Sequence, residues 1–364
     1  MTYAAITGWG KCLPPAVLTN QDLGTFLDTD DEWIRSRTGM RERRISHVPV
    51  GELAYVAARR ALAAAGLDPG ELELVVFGTT THDEQAPNMA SGVQRRLGAW
   101  RAGAMDVNTA CTSFLYGLSS ATALIRSGVV KNALVIGAEL ISPFMDWKNR
   151  NVAVLFGDGA GAVVLQATDR EEGVLAEKLG CDAEARDSLR IHGMGTRYAD
   201  MTHRIGDTTW IFDGQDIFKR AVKAMSGACE DVLARRRLTP ADVDLVVPHQ
   251  ANLRIIDAVA KRAGAPPEKV FVNIERYGNM SAATVVVALC EALEEGRVKP
   301  GATLLLPAFG AGLTWCAHLV RWGSRVTPVG TSDAELPPCS RTGLELVQEI
   351  LARKVGAIGW PDPT

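Results

Sequence analysis

The chain has 364 residues, 47% of them hydrophobic and 22% charged, with a formal net charge of -3 and a pI near 6.1. That balance suits a large buried core, argues against long disorder, and supplies no global basic field to gather nucleic acid or an anionic membrane. Seven cysteines without a CxxC pair indicate reduced thiols, with no disulfide framework and no metal site; Gly10 and Pro14 interrupt the N-terminus before a signal core forms and no apolar run reaches spanning length, so a soluble, cytoplasmic protein is expected.

Taken along the chain, residues 57–80 (AARRALAAAGLDPGELELVVFGTT) read as a helix, a Gly-Pro-Gly turn and a short apolar strand. VQRRLG (93–98) and AMDVN (104–108) read as the next helix and strand, and residues 110–139 open on small residues, continue as an apolar helix and end in a buried strand. The same order returns in residues 226–250, in VAKRAG (259–264) with VFVNI (270–274), and in residues 279–309. An internal duplication organises the chain.

Alternating helices and continuously apolar strands predict mostly parallel sheets covered on both faces, and two copies predict two such sheets. Helices 111–127 and 281–295 are apolar nearly all round, which predicts burial between the sheets. The expected fold is α/β, with duplicated βαβ halves forming a five-layer α/β/α/β/α sandwich. The halves are expected at residues 1–169 and 216–323, with residues 170–215 as an insertion forming a lid or channel wall. Residues 324–364 read as a polar tail ending in one amphipathic helix.

Duplicated halves diverge at the loops that follow their strands, which is where functional residues belong. In the first half, strand MDVN leads through Thr109 and Ala110 to Cys111 at a helix start, a position that predicts a lowered thiol pKa. In the second, strand DLVV runs into His249, and a Gly-Asn pair places Asn279 before the other buried helix, near the position corresponding to Cys111. Alone, a buried cysteine is usually a small core residue and Gly-Asn usually a turn or cap. Pseudo-twofold symmetry instead points a thiol, an imidazole and an amide at one pocket. AFGAGLTW (308–315) reads as a tight hairpin whose backbone N–H groups face a thioester oxygen.

In this combination the motifs TNxDL (19–23), DEWIRSRTGMRER (31–43), DVNTAC (106–111), FGDGAGA (156–162), PHQANLRI (248–255) and GNMSAAT (278–284) resemble those of the ketoacyl-ACP synthase III family of the thiolase superfamily, over about residues 1–323. The resemblance implies an acyltransferase that condenses an acyl-CoA with malonyl-acyl carrier protein, releasing CO2 and CoA. It implies Cys111 as nucleophile, His249 and Asn279 completing the triad, and the backbone N–H groups of Cys111 and Ala311 as the oxyanion hole. Coenzyme A contacts map onto Trp33, Arg37, Arg150, Gly214 and Asn252, and carrier-protein docking onto Arg254 and Lys261. Acyl-CoA is a substrate, so no cofactor is implied; a homodimer is.

The chain departs from the family pattern at Thr112 and Ser113 after the nucleophile, at Ala311 within a usual triple glycine, and at Gln215. Ala86 stands where some members carry a bulky Phe at the acyl channel, which predicts tolerance of longer acyl chains. The alternatives are a related condensing enzyme of secondary metabolism or of head-to-head long-chain condensation and, from a different class, a cysteine thioesterase or acyltransferase.

Overall fold

The computed structural model describes residues 1–193, 195, 196 and 208–356. The predicted insertion (170–215) and tail (324–364) are thus described except for residues 194, 197–207 and 357–364. The strands are β1 (Tyr3–Cys12), β2 (Ala16–Thr19), β3 (Glu42–Ile45), β4 (Leu74–Gly78), β5 (Gly103–Val107), β6 (Asn132–Glu139), β7 (Gly159–Thr168), β8 (Gly173–Cys181), β9 (Leu189–His192), β10 (Thr209–Phe212), β11 (Leu245–Val246), β12 (Thr303–Gly310) and β13 (Thr314–Arg321). The helices are α1 (Asn20–Gly24), α2 (Asp31–Thr38), α3 (Val50–Ala65), α4 (Met89–Leu97), α5 (Ser113–Arg126), α6 (Arg150–Ala153), α7 (Gly214–Arg235), α8 (Leu253–Arg262), α9 (Ile274–Tyr277), α10 (Thr284–Glu294) and α11 (Gly343–Gly356).

Nine strands run in the order β11-β12-β13-β8-β1-β7-β6-β4-β5. The expected pair of sheets is present as two halves joined where β1 meets β8, through the single parallel pairing Ala4↔Gly173. The expectation of mostly parallel strands fails: β1 with β7, β6 with β7, β12 with β13 and β13 with β8 are all antiparallel. Each half ends in a strand that returns beside its predecessor, and the tight turn after Gly310 permits no crossover helix. Residues 270–274, predicted as a strand, contribute only the bridge Val246↔Val270, because the chain turns at Asn273 into α9. Strand β8, within the segment read as an insertion, belongs to the second half-sheet.

Five layers follow from where the apolar surfaces meet. One core joins α3 and α4 to the first half-sheet through Val56, Leu62, Val75, Val93 and Ile136. A second joins α7 and α8 to the other half through Cys229, Val232, Ile256, Leu305 and Leu319. The central core holds Phe114, Leu118 and Ile125 of α5 and Val285, Val286 and Leu289 of α10 against strands of both halves. Burial nearly all round α5 and α10 is the reason their sequences show no polar face. The thiolase-like α/β/α/β/α arrangement is therefore the fold.

Two glycines set how closely these central helices approach the sheet. A Cβ on Gly78 of β4 would lie 2.8 Å from the Ser113 carbonyl carbon, and one on Gly137 of β6 would lie 2.4 Å from the Ala282 carbonyl oxygen. Both helix starts thus rest directly on strand backbone. The tail straps the outer face: Arg325 donates to Ala64 O at 2.6 Å and Val329 N to Ala64 O at 3.0 Å. It continues into α11, whose Leu346 and Val347 are buried in one cluster with residues of the β2–β3 pair.

Candidate active site

A cavity of about 980 Å³ opens at the ends of these elements, lined by Cys111, His249 and Asn279 together. Each is delivered by a different local device. Ala110–Thr112 form one turn of 3-10 helix before α5, entered through Ala110 at φ 53°. Ser281–Ala283 form the matching turn before α10, entered through Ser281 at φ 46°. The residue matching Cys111 is therefore Ala282, and Asn279 matches Asn108, three residues earlier. The looser correspondence read from sequence is corrected by those three residues.

His249 follows β11 and is fixed to the neighbouring strand by its N–H donating to Pro307 O at 2.9 Å. Its Nδ1 lies 2.6 Å from Thr284 Oγ1, and that hydroxyl lies 3.0 Å from Ser281 O. With the hydroxyl proton given to Ser281 O, His249 carries Nδ1–H and a lone pair on Nε2; with it turned onto Nδ1, Nε2 carries the proton. Burial pushes the imidazole down to about 3, so His249 is neutral at neutral pH. Asn279 is oriented by Ser281 N, which donates to its Oδ1 at 2.8 Å.

The expected lowering of the Cys111 pKa does not occur: burial pushes the thiol up to about 12, against a smaller opposing effect of its hydrogen bond with Ser281. Two physical reasons apply. The α-helix begins at Ser113, two residues beyond the sulfur, and charging a desolvated thiol is costly.

The AFGAGLTW segment forms the β12–β13 hairpin, and the hairpin also reaches the site. A Cβ on Gly310 would lie 2.8 Å from Cys111 N and 3.2 Å from Thr112 N. The turn bearing Ala311 is thereby pressed against the cysteine's backbone.

Trp33, Arg37, Gly214 and Asn252 line the same cavity. The guanidiniums of Arg37 and Arg150 lie over the Trp33 ring, 4.5 and 5.1 Å from its centroid. Arg150 does not line the cavity; it pairs with Asp28 at 3.0 Å. Asn252 caps α8 and donates from Nδ2 to Arg37 O at 3.1 Å, tying the two sides of the mouth together. Arg254 lines the cavity and donates to Ser36 O at 2.9 Å, while Lys261 lies exposed on the same helix. Ala86 is exposed on the loop after β4 and does not line the cavity of its own chain. From the 170–215 segment, Leu189 and Phe212 form cavity wall.

Glu139, Ser281 and Thr284 were not singled out in the sequence. Glu139 alone gave a signal, a carboxylate closing an otherwise apolar strand. It is fully buried and accepts from Thr81 Oγ1 at 2.6 Å, Ser281 Oγ at 3.0 Å, and the side chains of Thr79 and Thr80 at 3.1–3.2 Å. Burial raises its pKa. Among the described residues no helix is long and apolar enough to cross a membrane.

Residues 105–183 match the family model described as 3-oxoacyl-[acyl-carrier-protein (ACP)] synthase III, and residues 233–322 match the C-terminal model of that family. The chain is 53% identical to beta-ketoacyl-[acyl-carrier-protein] synthase III 2 of Vibrio cholerae, over 96% of each chain. Among solved structures it superposes on 3-oxoacyl-[acyl-carrier-protein] synthase III from Aquifex aeolicus with a TM-score of 0.82 at 42% identity, covering 88% of this chain and 100% of that one. The corresponding Pseudomonas aeruginosa structure gives 0.83 at 41% identity, covering 88% and 99%.

Proposed function

The chain belongs to the 3-oxoacyl-[acyl-carrier-protein] synthase III family, and from that membership we propose that it performs the condensation that initiates fatty acid synthesis. An acyl-CoA and malonyl-acyl carrier protein give 3-oxoacyl-acyl carrier protein, CoA and CO2. The observation that carries this reading is the convergence of Cys111, His249 and Asn279 on one cavity.

The reaction divides into two halves. In the first, the Cys111 sulfur attacks the thioester carbon of acyl-CoA, CoA leaves, and the acyl group remains as a thioester on the enzyme. The N–H groups of Cys111 and Ala311 receive the carbonyl oxygen as it gains charge, the role supported by the close approach of Gly310 to Cys111 N. Trp33, Arg37 and Arg150 hold the nucleotide end of CoA, while Gly214 and Asn252 flank its pantetheine arm.

In the second half, malonyl thioester loses CO2 and its carbonyl oxygen becomes an enolate. Asn279 donates from Nδ2, because its Oδ1 is already engaged by Ser281 N. His249 donates from Nε2 in the tautomer whose Nδ1 accepts from Thr284. The enolate carbon then attacks the acyl group on Cys111. Two donors on one oxygen favour decarboxylation over hydrolysis, because they stabilise charge that appears only as CO2 leaves.

The same reading assigns the carrier protein to the face bearing Arg254 and Lys261, a homodimer as the working unit, Ala86 to the partner's acyl channel, the cytoplasm as compartment and no resident cofactor. The test is the intact mass of the protein mixed with acetyl-, octanoyl- and dodecanoyl-CoA, followed by malonyl-acyl carrier protein and CO2 detection. An acyl adduct absent in Cys111→Ala and discharged with CO2 is expected; discharge to free acid without CO2 would establish a thioesterase instead.

A further inference from the structure

An oxyanion hole built from the N–H groups of Cys111 and Ala311 requires a turn of the first half and a hairpin of the second to keep a fixed spacing. Gly310 permits their close approach, but an absent side chain attaches nothing. Attachment comes from three buried hydroxyls, two of them on Thr112 and Ser113, where the chain departs from the family pattern after the nucleophile. Thr112 Oγ1 lies 2.7 Å from Thr109 O and 2.8 Å from Thr314 Oγ1. Thr314 stands opposite Gly310 at the start of β13, with its hydroxyl 2.9 Å from Thr109 O and 3.1 Å from Ala311 O. Ser113 Oγ donates to Ala110 O at 2.7 Å and accepts from Thr109 N at 2.9 Å, closing the cysteine's turn on itself.

The two threonine hydroxyls bring one proton each to these contacts. Either Thr314 donates to Thr112, which donates to Thr109 O, or Thr112 donates to Thr314, which donates to Thr109 O or to Ala311 O. In every arrangement a hydrogen bond crosses from the hairpin to the cysteine's turn. Both side chains are buried, so solvent does not compete for it.

We infer that Thr112 and Thr314 are positioning residues of the oxyanion hole, whose paired hydroxyls fix the spacing of the Cys111 and Ala311 N–H groups while Ser113 holds the shape of the turn. Neither threonine lines the cavity, so both act through the two N–H groups. Donors fixed before the charge appears need no rearrangement when it does. The inference deepens the proposed condensation and rests on Cys111 as its nucleophile.

The test compares single-turnover acylation of Cys111 by acyl-CoA, read by rapid-quench mass, with alkylation of Cys111 by iodoacetamide. Acylation places negative charge on a carbonyl oxygen; alkylation displaces iodide from a methylene carbon and forms no oxyanion. Thr314→Val keeps the side-chain shape and deletes the hydroxyl. Its saturating acylation rate is expected to fall about 10-fold, less than the loss of about 10²–10³ on removing an oxyanion donor outright. The half-saturating acyl-CoA concentration and the alkylation rate should stay at their wild-type values, which a general loosening of the site would not allow. Thr314→Ser returns the hydroxyl and should recover most of the rate.

Thr112→Val should match Thr314→Val, and it carries the test if Thr314→Val does not fold. The double variant should lose no more than about threefold beyond either single one, because residues acting as a unit are not additive. Acylation at the wild-type rate in the valine variants, or alkylation falling in step with acylation, overturns the inference. Absence of both adducts from Cys111 in the wild type would instead overturn the nucleophile itself.

Discussion

Gly310→Ala is expected to disable acyl transfer without unfolding the protein. The added Cβ would lie 2.8 Å from Cys111 N, about 0.6 Å short of the 3.4 Å at which ordinary contact begins, with Thr109 O at 3.1 Å and Thr112 N at 3.2 Å. All three obstacles are backbone, so relief must come from moving either the β12–β13 turn or the cysteine's own turn. Overpacking of this kind costs about 1–3 kcal/mol of stability. Withdrawal of one donor from a developing oxyanion costs about 10²–10³ in rate, and misplacement of a reacting group by ~1 Å costs about 10². We therefore expect acyl-enzyme formation, followed by rapid-quench intact mass, to slow about 100-fold. Gly227→Ala is the control: nothing lies within 4 Å of its added Cβ on α7, and the change should stabilise by about 0.5–1 kcal/mol. A Gly310→Ala protein that melts like wild type and acylates within threefold of it would refute the placement of this turn in the reaction.

Thr284→Val leaves the buried His249 Nδ1 without its 2.6 Å partner; urea unfolding should report a loss of about 1–3 kcal/mol, and malonyl decarboxylation should fall while acylation from CoA survives. Undiminished CO2 release would show that Thr284 does not set the His249 tautomer. Stability should also fall on acidification, because His249 and His318, both buried and both held down to about 3, take up protons in the unfolded chain from pH 6.5 downward. At pH 5 each costs about 2 kcal/mol, from ~1.4 kcal/mol per pKa unit. Glu139 and Asp158, raised by burial, act in the opposite sense, so the test is a difference: His318→Gln should lose about 2 kcal/mol less than wild type between pH 7 and pH 5, and parallel profiles would contradict it. Ala86→Phe should shorten the longest acyl-CoA that charges Cys111, measured by adduct mass; an unchanged chain-length range would show that residue 86 does not face an acyl channel.

The layers were legible because α5 and α10 lack a polar face, which only a helix covered on both sides can tolerate. Strand direction was less so. A buried strand is continuously apolar whether its neighbour runs parallel or antiparallel, and β7 and β13 carry no residue that marks their reversal. Cys111 and His249 were singled out because each follows a short apolar strand, and Asn279 because a Gly-Asn pair precedes an apolar helix. The electrostatics of Cys111 were misjudged, since the helix-start argument places charge-stabilising N–H groups without weighing the desolvation of a thiol buried by elements distant in sequence. Ser281 and Thr284 stayed hidden inside GNMSAAT, where both read as ordinary helix-opening residues.

The two elbows show how one local structure comes to hold two chemistries. In the first, Ala110 N approaches Asn108 Oδ1 at 3.5 Å and Ser113 Oγ donates to Ala110 O at 2.7 Å. In the second, Ser281 N donates to Asn279 Oδ1 at 2.8 Å and Thr284 Oγ1 lies 3.0 Å from Ser281 O. Each is an Asx turn leading into a residue at positive φ, a single 3-10 turn and then an α-helix, and the asparagine serves the turn in both. The turn reading of Gly-Asn holds for Asn279, whose Oδ1 accepts from Ser281 N, and its Nδ2 is left for the role proposed above. What differs is the side chain placed on the shared backbone: Cys111 against Ala282, Ala110 against Ser281. The small Ala282 sits against β6, where Gly137 leaves no room for a Cβ, while the hydroxyl on Ser281 donates to Glu139 Oε1 at 3.0 Å. The shared backbone thus carries a thiol at one elbow and a hydroxyl at the other.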